Sequence, residues 1–328
     1  MDNSSTKVIG IISCRYSGST MLDYMLGSHT NGLSLTELRA FIAGNRKPFT
    51  CKTCFPPEKC PVWIPELTAR LIDYPINSQI YEDISRHAQK SLLVDSSKNL
   101  KWFKKTFSGL ADNNKLMVLI LKSPHRYVAS EFTKVHKSAP KKISDAVHLW
   151  LHHNLTFLHY LSTSGVNYQI VRYEDLVNQA PQVLSNILGA LGLEYQNRME
   201  LYWEHQHHPL WGNPGARSHF KQSDTSNPEN FDLSEVDRKI YQQRKQTLYL
   251  DDKWKTVLDK SAIDEIYNSP FVGKLCSKFD FHNPNHFDPK NDSPQNFRID
   301  KAWVTQTYWH FMASRHYPRW IYRKLFKG

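Results

Sequence analysis

A chain of 328 residues, 40% hydrophobic and 22% charged, is long and apolar enough for one large domain with additions or two small ones, which excludes a disordered polymer. A net charge of +11 and a pI of about 9.3 favour anionic partners, with nucleic acid, an acidic membrane and a polyanionic cofactor fitting equally well. No run approaches the ~20 apolar residues of a membrane span, residues 1–7 are too polar for a secretory signal, and five cysteines, an odd number, argue against a disulfide-stapled secreted domain, so a cytoplasmic protein is expected.

Val8 to Ile12 is an apolar, β-branched run that breaks into a polar turn, Ser13 to Ser17, before Met21, Leu22, Met25 and Leu26 recur at helical spacing. This reads as strand, tight loop and helix, the loop carrying Ser17-Gly18-Ser19-Thr20. Gly18 lets the backbone turn closely, and the first helical amides, the helix dipole and the hydroxyls together make a phosphate cradle. The nucleotide-triphosphatase pattern needs a lysine before its Ser/Thr, and here Gly18 stands in that place.

Further on, Cys51-x-x-Cys54-x5-Cys60 gathers three thiols in ten residues. They are a candidate zinc set with a fourth ligand from Cys276 or a histidine; a reduced packing loop or a Cys51/Cys54 redox pair are the other readings. The sixteen histidines, His152/His153 and His205/His207/His208 among them, are individually assigned to no metal.

Leu92 to Asp95 is a second strand, ending in Ser96-Ser97-Lys98, and Leu116 to Leu121 a third, ending in Lys122-Ser123-Pro124. Ser96 and Ser97 read as caps of the next helix as readily as ligand contacts. A helix carries Ile143, Val147, Trp150, Leu151, Leu155, Leu158 and Leu161; a fourth strand, Tyr168 to Arg172, ends in Tyr173-Glu174-Asp175; another helix opens at Pro181 and stops at Gly192. All-apolar strands separated by helices are parallel and buried on both faces, and their polar C-terminal ends share the edge where ligands bind. Past about residue 200 the pattern weakens: residues 221–235 are polar, 283–300 read as a linker, and Ala302 to Phe326 mixes aromatics with Lys and Arg. Such a tail can stack on nucleic acid, lie on an anionic membrane, or dock; its aromatic density favours docking or dimer packing. The expectation is an α/β, P-loop-like three-layer fold with a central parallel sheet over residues 1–282, a cysteine-bearing insertion at about 45–80, and a linker with a basic, helical C-terminal extension at 283–328.

With these strand ends in order, residues 7 to 220 resemble the sulfotransferases that use 3′-phosphoadenosine-5′-phosphosulfate (PAPS), nearest the branch of tyrosylprotein and bacterial carbohydrate sulfotransferases. The resemblance implies that Ser17, Gly18, Ser19 and Thr20, with Met21 in the next turn, hold the 5′-phosphosulfate. The family often places an arginine directly before Ser-Gly; here Tyr16 stands there and Arg15 one residue earlier. The family's Arg and Ser eight residues apart, which hold the 3′-phosphate, correspond to Lys122 and Ser130, with Arg126 between them. The resemblance further implies Glu37, in Glu37-Leu38-Arg39, as the general base, and Lys98 as the cation on the transferred group. Tyr173 opens a Tyr-Glu-Asp-Leu segment like the family's, and Gly212-Asn213 through Arg217 resemble a loop that closes over the nucleotide.

The implied function is transfer of a sulfuryl group from PAPS to a hydroxyl of a carbohydrate, glycolipid or small alcohol. In-line positioning, a carboxylate base, and cations with amides on the developing charge suffice for it. No metal is required, because a sulfuryl group carries less charge than a phosphoryl group. The expected partners are the adenine nucleotide donor and a small-molecule or glycan acceptor, not nucleic acid; peripheral membrane contact through the tail and oligomerisation stay open. The alternatives are a P-loop-like nucleotide kinase or ATPase, and a non-catalytic zinc- and nucleic-acid-binding protein.

Overall fold

The structure is a computed structural model; it describes residues 5–44, 50–54, 56–133, 142–217, 220, 246–285 and 297–314. At its centre is a five-stranded parallel sheet in the order β2-β3-β1-β4-β5. The strands are β1 (Lys7–Ser13), β2 (Gly32–Thr36), β3 (Leu92–Asp95), β4 (Lys115–Leu121) and β5 (Tyr168–Arg172). The helices of the first two hundred residues are α1 (Ser19–Gly27), α2 (Arg39–Ile42), α3 (Pro65–Ile72), α4 (Gln79–Ala88), α5 (Leu100–Phe107), α6 (Pro124–Phe132), α7 (Ile143–Ser164), α8 (Tyr173–Asn178) and α9 (Ala180–Gly189).

Strand alternation sorts the side chains into two cores. Met117, Leu119 and Leu121 of β4 join Val8 and Ile12 of β1 under α4, α5, α6 and α7. Leu116, Val118 and Ile120 join Ile9 and Ile11 under α1, α8 and α9 on the opposite face. This is the expected three-layer α/β architecture. Four strands fall where the apolar runs put them. The fifth, β2, is short, and only Leu33 and Leu35 in it are apolar, although all its residues are buried.

Gly10, in the middle strand, lets α5 approach: a Cβ there would stand 2.8 Å from the rings of both Phe103 and Phe107. Gly10→Val is therefore expected to destabilise the fold by about 1–3 kcal/mol through overpacking. Chemical denaturation reads this, and an unchanged midpoint would contradict the tight packing.

Part of the cysteine-bearing insertion, residues 45–49 and 55, lies outside the described residues. So do residues 221–235, most of the 283–300 segment, and Tyr317, Trp320, Tyr322 and Phe326 of the tail. The described part of the tail is the helix Lys301–Ala313. It lies on α7, burying Val304, Thr307 and Phe311 and stacking Tyr308 on His159 with ring centroids 4.4 Å apart. Among the described residues, no helix is long and apolar enough to cross a membrane.

Because every strand pairing is parallel, the C-terminal ends of the strands lie on one edge. The chain leaves β1 to build β2 and β3 on one side, then crosses to build β4 and β5 on the other. Such a crossover opens a crevice beside the end of the central strand.

Candidate functional site

Three successive strand-to-helix turns build the wall of that crevice, and each contains a non-glycine residue in the left-handed region. These are Tyr16 (φ 63°) after β1, Thr36 (φ 53°) ending β2 and Lys98 (φ 53°) after β3. Each such conformation is strained by about 1–3 kcal/mol, the kind of strain that persists where a side chain must be aimed. Gly18 (φ 88°) completes the first turn; a Cβ on it would stand 2.8 Å from the Tyr173 ring. Gly18 is the N-cap of α1, which begins at Ser19, and as a glycine it offers no side chain to cap it.

The crevice encloses a cleft of about 310 Å³. Arg15, Gly18, Ser19, Thr20, Met21, Glu37, Lys98, Lys122, Ser130 and Tyr173 all line it. Ser17 and Arg217 are buried and adjoin lining residues in the chain, Ser17 just before Gly18 and Arg217 just after Ala216, with burial lowering the Arg217 pKa.

Lys98 is the hub of one end. Its Nζ donates to Glu37 Oε1 at 3.0 Å and to Ser19 Oγ at 3.3 Å, so a carboxylate, an ammonium and the N-terminus of α1 meet at one point. Lys122 is the hub of the other. Its Nζ donates to Ser130 Oγ at 3.0 Å, to the Tyr16 carbonyl at 3.2 Å and to Asp251 Oδ2 at 3.4 Å, and lies 4.8 Å from the centre of the Tyr173 ring. Burial pulls Lys122 down from its ordinary 10.5 to about 8, with Asp251 opposing the shift. Asp251, though itself partly buried, is held below the usual carboxylate range by Lys122 and Lys253.

Arg15 and Arg126 are each engaged by carboxylates. The Arg15 guanidinium forks onto the fully buried Glu131, its Nε and Nη2 donating to the two carboxylate oxygens. Arg126 does not line the cleft; its Nη1 donates to the Asp251 carbonyl and to Asp252 Oδ1 at 2.6 Å, bracing the segment that carries Asp251. Asn99, and not Ser96 or Ser97, caps α5, accepting from Trp102 N at 2.9 Å. Ser97 Oγ instead accepts from Arg39 N at 3.0 Å, fixing the turn behind Glu37.

Sequence reasoning missed one part of the lining, the stretch around Asp251, whereas the loop at Gly212-Asn213 was singled out. Residues 247–249, 251 and 253 supply Asp251 and Lys253 from a stretch with no periodic pattern. Trp211, Gly212 and Asn213 form a flap: Asn213 N donates to Thr20 Oγ1 at 3.2 Å and Trp211 N to Thr36 Oγ1 at 3.3 Å. Gly212 (φ 120°) leaves room for it, since a Cβ there would meet Thr20 at 2.8 Å. Beyond the flap, Cys51, Cys54 and Cys60 converge on His208, while Cys276 stays outside this group.

No protein-family model matches the chain, and no curated protein does. Solved structures do. The sulfotransferase domain of an olefin synthase from Synechococcus PCC 7002 is 20% identical and matches with a TM-score of 0.53, over 86% of this chain and 98% of that one. The sulfotransferase domain from the curacin biosynthetic pathway is 19% identical with a TM-score of 0.55, over 85% and 99%. At this identity the likeness shows a shared fold: the chain has a sulfotransferase-like architecture.

Proposed function

We propose that the chain transfers a sulfuryl group from PAPS to a hydroxyl acceptor. The observation that carries this reading is the contact of Lys98 Nζ with both Glu37 and Ser19, which joins a base, a cation and an anion cradle at one end of a cleft. The buried Lys122–Ser130 pair supplies a second anion site in the same cleft, as a donor with phosphate at both its 3′ and 5′ positions requires.

In this reading the α1 amides and Ser17 to Thr20 hold the 5′-phosphosulfate, and Lys122 and Ser130 hold the 3′-phosphate. Met21, Tyr173 and the flap ending near Arg217 enclose the nucleotide, and Arg15, which pairs with Glu131, lines the same cleft and faces the donor. The acceptor oxygen gives its proton to Glu37 as it bonds to sulfur. The bond from sulfur to the bridging oxygen breaks in line, and adenosine 3′,5′-bisphosphate leaves with the negative charge, stabilised by Lys98 and the loop amides. The chain's own groups cover each step, so the transfer itself needs no metal. The acceptor is a carbohydrate, glycolipid or small alcohol, admitted on the Glu37 side of the cleft.

Thermal denaturation with adenosine 3′,5′-bisphosphate tests the donor site. Ligand at a hundred times its Kd is expected to add about 2.7 kcal/mol of stability, an easily read upward shift in Tm. Adenosine 5′-monophosphate and ATP with Mg²⁺ are expected to shift it far less. A response to ATP-Mg²⁺ alone would favour a nucleotide kinase or ATPase and sink the sulfuryl-transfer reading.

A further inference from the structure

We propose that Cys51, Cys54, Cys60 and His208 bind a zinc ion that fastens the cysteine-bearing insertion to the flap of the cleft. The four donor atoms lie within 4.8 Å of one another. His208 Nδ1 stands 3.2 Å from Cys54 Sγ, 3.5 Å from Cys60 Sγ and 4.0 Å from Cys51 Sγ. A tetrahedral zinc with Zn–S of about 2.3 Å and Zn–N of about 2.1 Å separates sulfur from nitrogen by about 3.6 Å, the mean of what is seen.

The surroundings are those of a ligand set rather than of loose thiols. Trp63 N donates to Cys60 Sγ at 3.4 Å, the backbone contact that a thiolate accepts. Trp63 Nε1 donates to the His208 carbonyl at 2.6 Å and so fixes the histidine's position. Lys52 N donates to the Pro209 carbonyl at 2.8 Å and Thr53 Oγ1 to the His207 carbonyl at 2.5 Å, so backbone bonds clamp the two segments on either side of the donors. Cys51, Cys60 and His208 are buried, and all four positions of the tetrahedron are taken by protein. A closed set of this kind is structural, whereas a catalytic zinc keeps one position open. Nor is a disulfide an equivalent use of these residues, since any pairing among three thiols strands the third beside it.

On binding, the three thiols release their protons to solvent and the imidazole enters neutral through Nδ1. No oxidant or further reactant is needed. The consequence for the cleft is positional: His208 precedes Trp211, Gly212 and Asn213, so the metal anchors the flap that rests on Thr20 and Thr36. This anchoring is independent of which group the cleft transfers.

The test is the metal content of the full-length chain, purified without added zinc and dialysed against EDTA, read by plasma mass spectrometry. About one zinc per chain is expected, released when a mercurial blocks the thiols. Reconstitution with cobalt(II) is expected to give thiolate charge-transfer absorption and the intense d–d bands of a tetrahedral, sulfur-rich site. Cys60→Ser and Cys51→Ser are expected to lose the metal, while His208→Cys, which completes a four-thiolate set, keeps it. A wild-type chain that is folded yet metal-free, with only pale octahedral cobalt absorption, overturns the proposal. So does zinc retained in folded Cys60→Ser. The wild-type stoichiometry decides the matter even where a variant fails to fold, and no nucleotide enters the measurement.

Discussion

Glu37→Gln is expected to lower kcat by about 10²–10⁴-fold while leaving both Tm and the bisphosphate-induced shift in place. The size is that of a general base removed from a reaction whose nucleophile must lose a proton. Lys98→Ala is expected to lower kcat by about 10²–10³-fold, the usual consequence of deleting one stabiliser of developing negative charge. Neither change should unfold the chain. The Glu37–Lys98 pair is partly open to solvent, with side-chain exposures of 26% and 19%, and an ion pair so screened contributes about 0–1 kcal/mol. Because the two groups touch at 3.0 Å, their effects are not independent, and the double variant is expected to be little worse than the poorer single one. Initial rates with PAPS and an accepted alcohol give kcat, and melting curves with and without bisphosphate give the control. A Glu37→Gln chain that turns over within a few-fold of the native one would remove Glu37 from the base role. A chain that melts much earlier would make the pair a structural one.

How far this arrangement was legible in the sequence follows from which residues carry a local signal. The strands β1, β3, β4 and β5 are buried on both faces, so apolar runs announce them, and the polar residues just past those runs fall on one edge by parallel pairing alone. Gly18 was legible because only a residue free of a Cβ fits against Tyr173 at φ 88°. β2 was not: it presents two leucines among polar residues, and its burial comes from tertiary neighbours such as Asp23, which accepts from Ser34 Oγ. Missing β2 left Glu37 without a strand to hold it; the resemblance to a known motif, and not periodicity, singled it out. Asp251 was beyond reach for a different reason. It meets Lys122 across 129 positions of chain, and a carboxylate in an irregular segment has nothing to mark it. His208 is similar, joined to Cys54 over a separation of 154, so the cysteine spacing suggested a metal but could not choose the fourth ligand. Arg15 lines the cleft as its place beside the loop suggests, but its pairing with the buried Glu131 was not legible, since charge in a sequence does not tell which carboxylate it meets.

The affinity for adenosine 3′,5′-bisphosphate is expected to fall about tenfold per pH unit above about pH 8, and Lys122 is the cause. Its side chain is only 2% exposed, and burial lowers its pKa from 10.5 to about 8. The charged groups facing it are Asp251 and Glu174, which favour the ammonium, and Lys253, which opposes it. Holding the charged form in the folded chain therefore costs about 3 kcal/mol at low pH. Between pH 8 and 10.5 the folded chain has shed this proton and the unfolded chain still holds it, so this group's contribution to stability rises with pH across that window. Binding runs the other way. A 3′-phosphate needs the ammonium, so above pH 8 the complex must take a proton from solvent, and affinity declines until the bound-state pKa is passed. Adenosine 5′-monophosphate, which has no 3′-phosphate, is expected to bind weakly and without that slope. Lys122→Met is expected to flatten the profile and weaken the bisphosphate by about 2–5 kcal/mol, roughly 30- to 5,000-fold, as for other truncated buried charge contacts. The variant should still fold, because Asp251 keeps Lys253 Nζ at 3.4 Å and the Lys253 amide at 3.3 Å. Calorimetric titration in buffers of different ionisation heat reads both the affinity and the proton taken up. A flat profile in the native chain, or an unchanged one in Lys122→Met, would move the 3′-phosphate to a different cation and leave the Lys122–Asp251 contact as a structural pair.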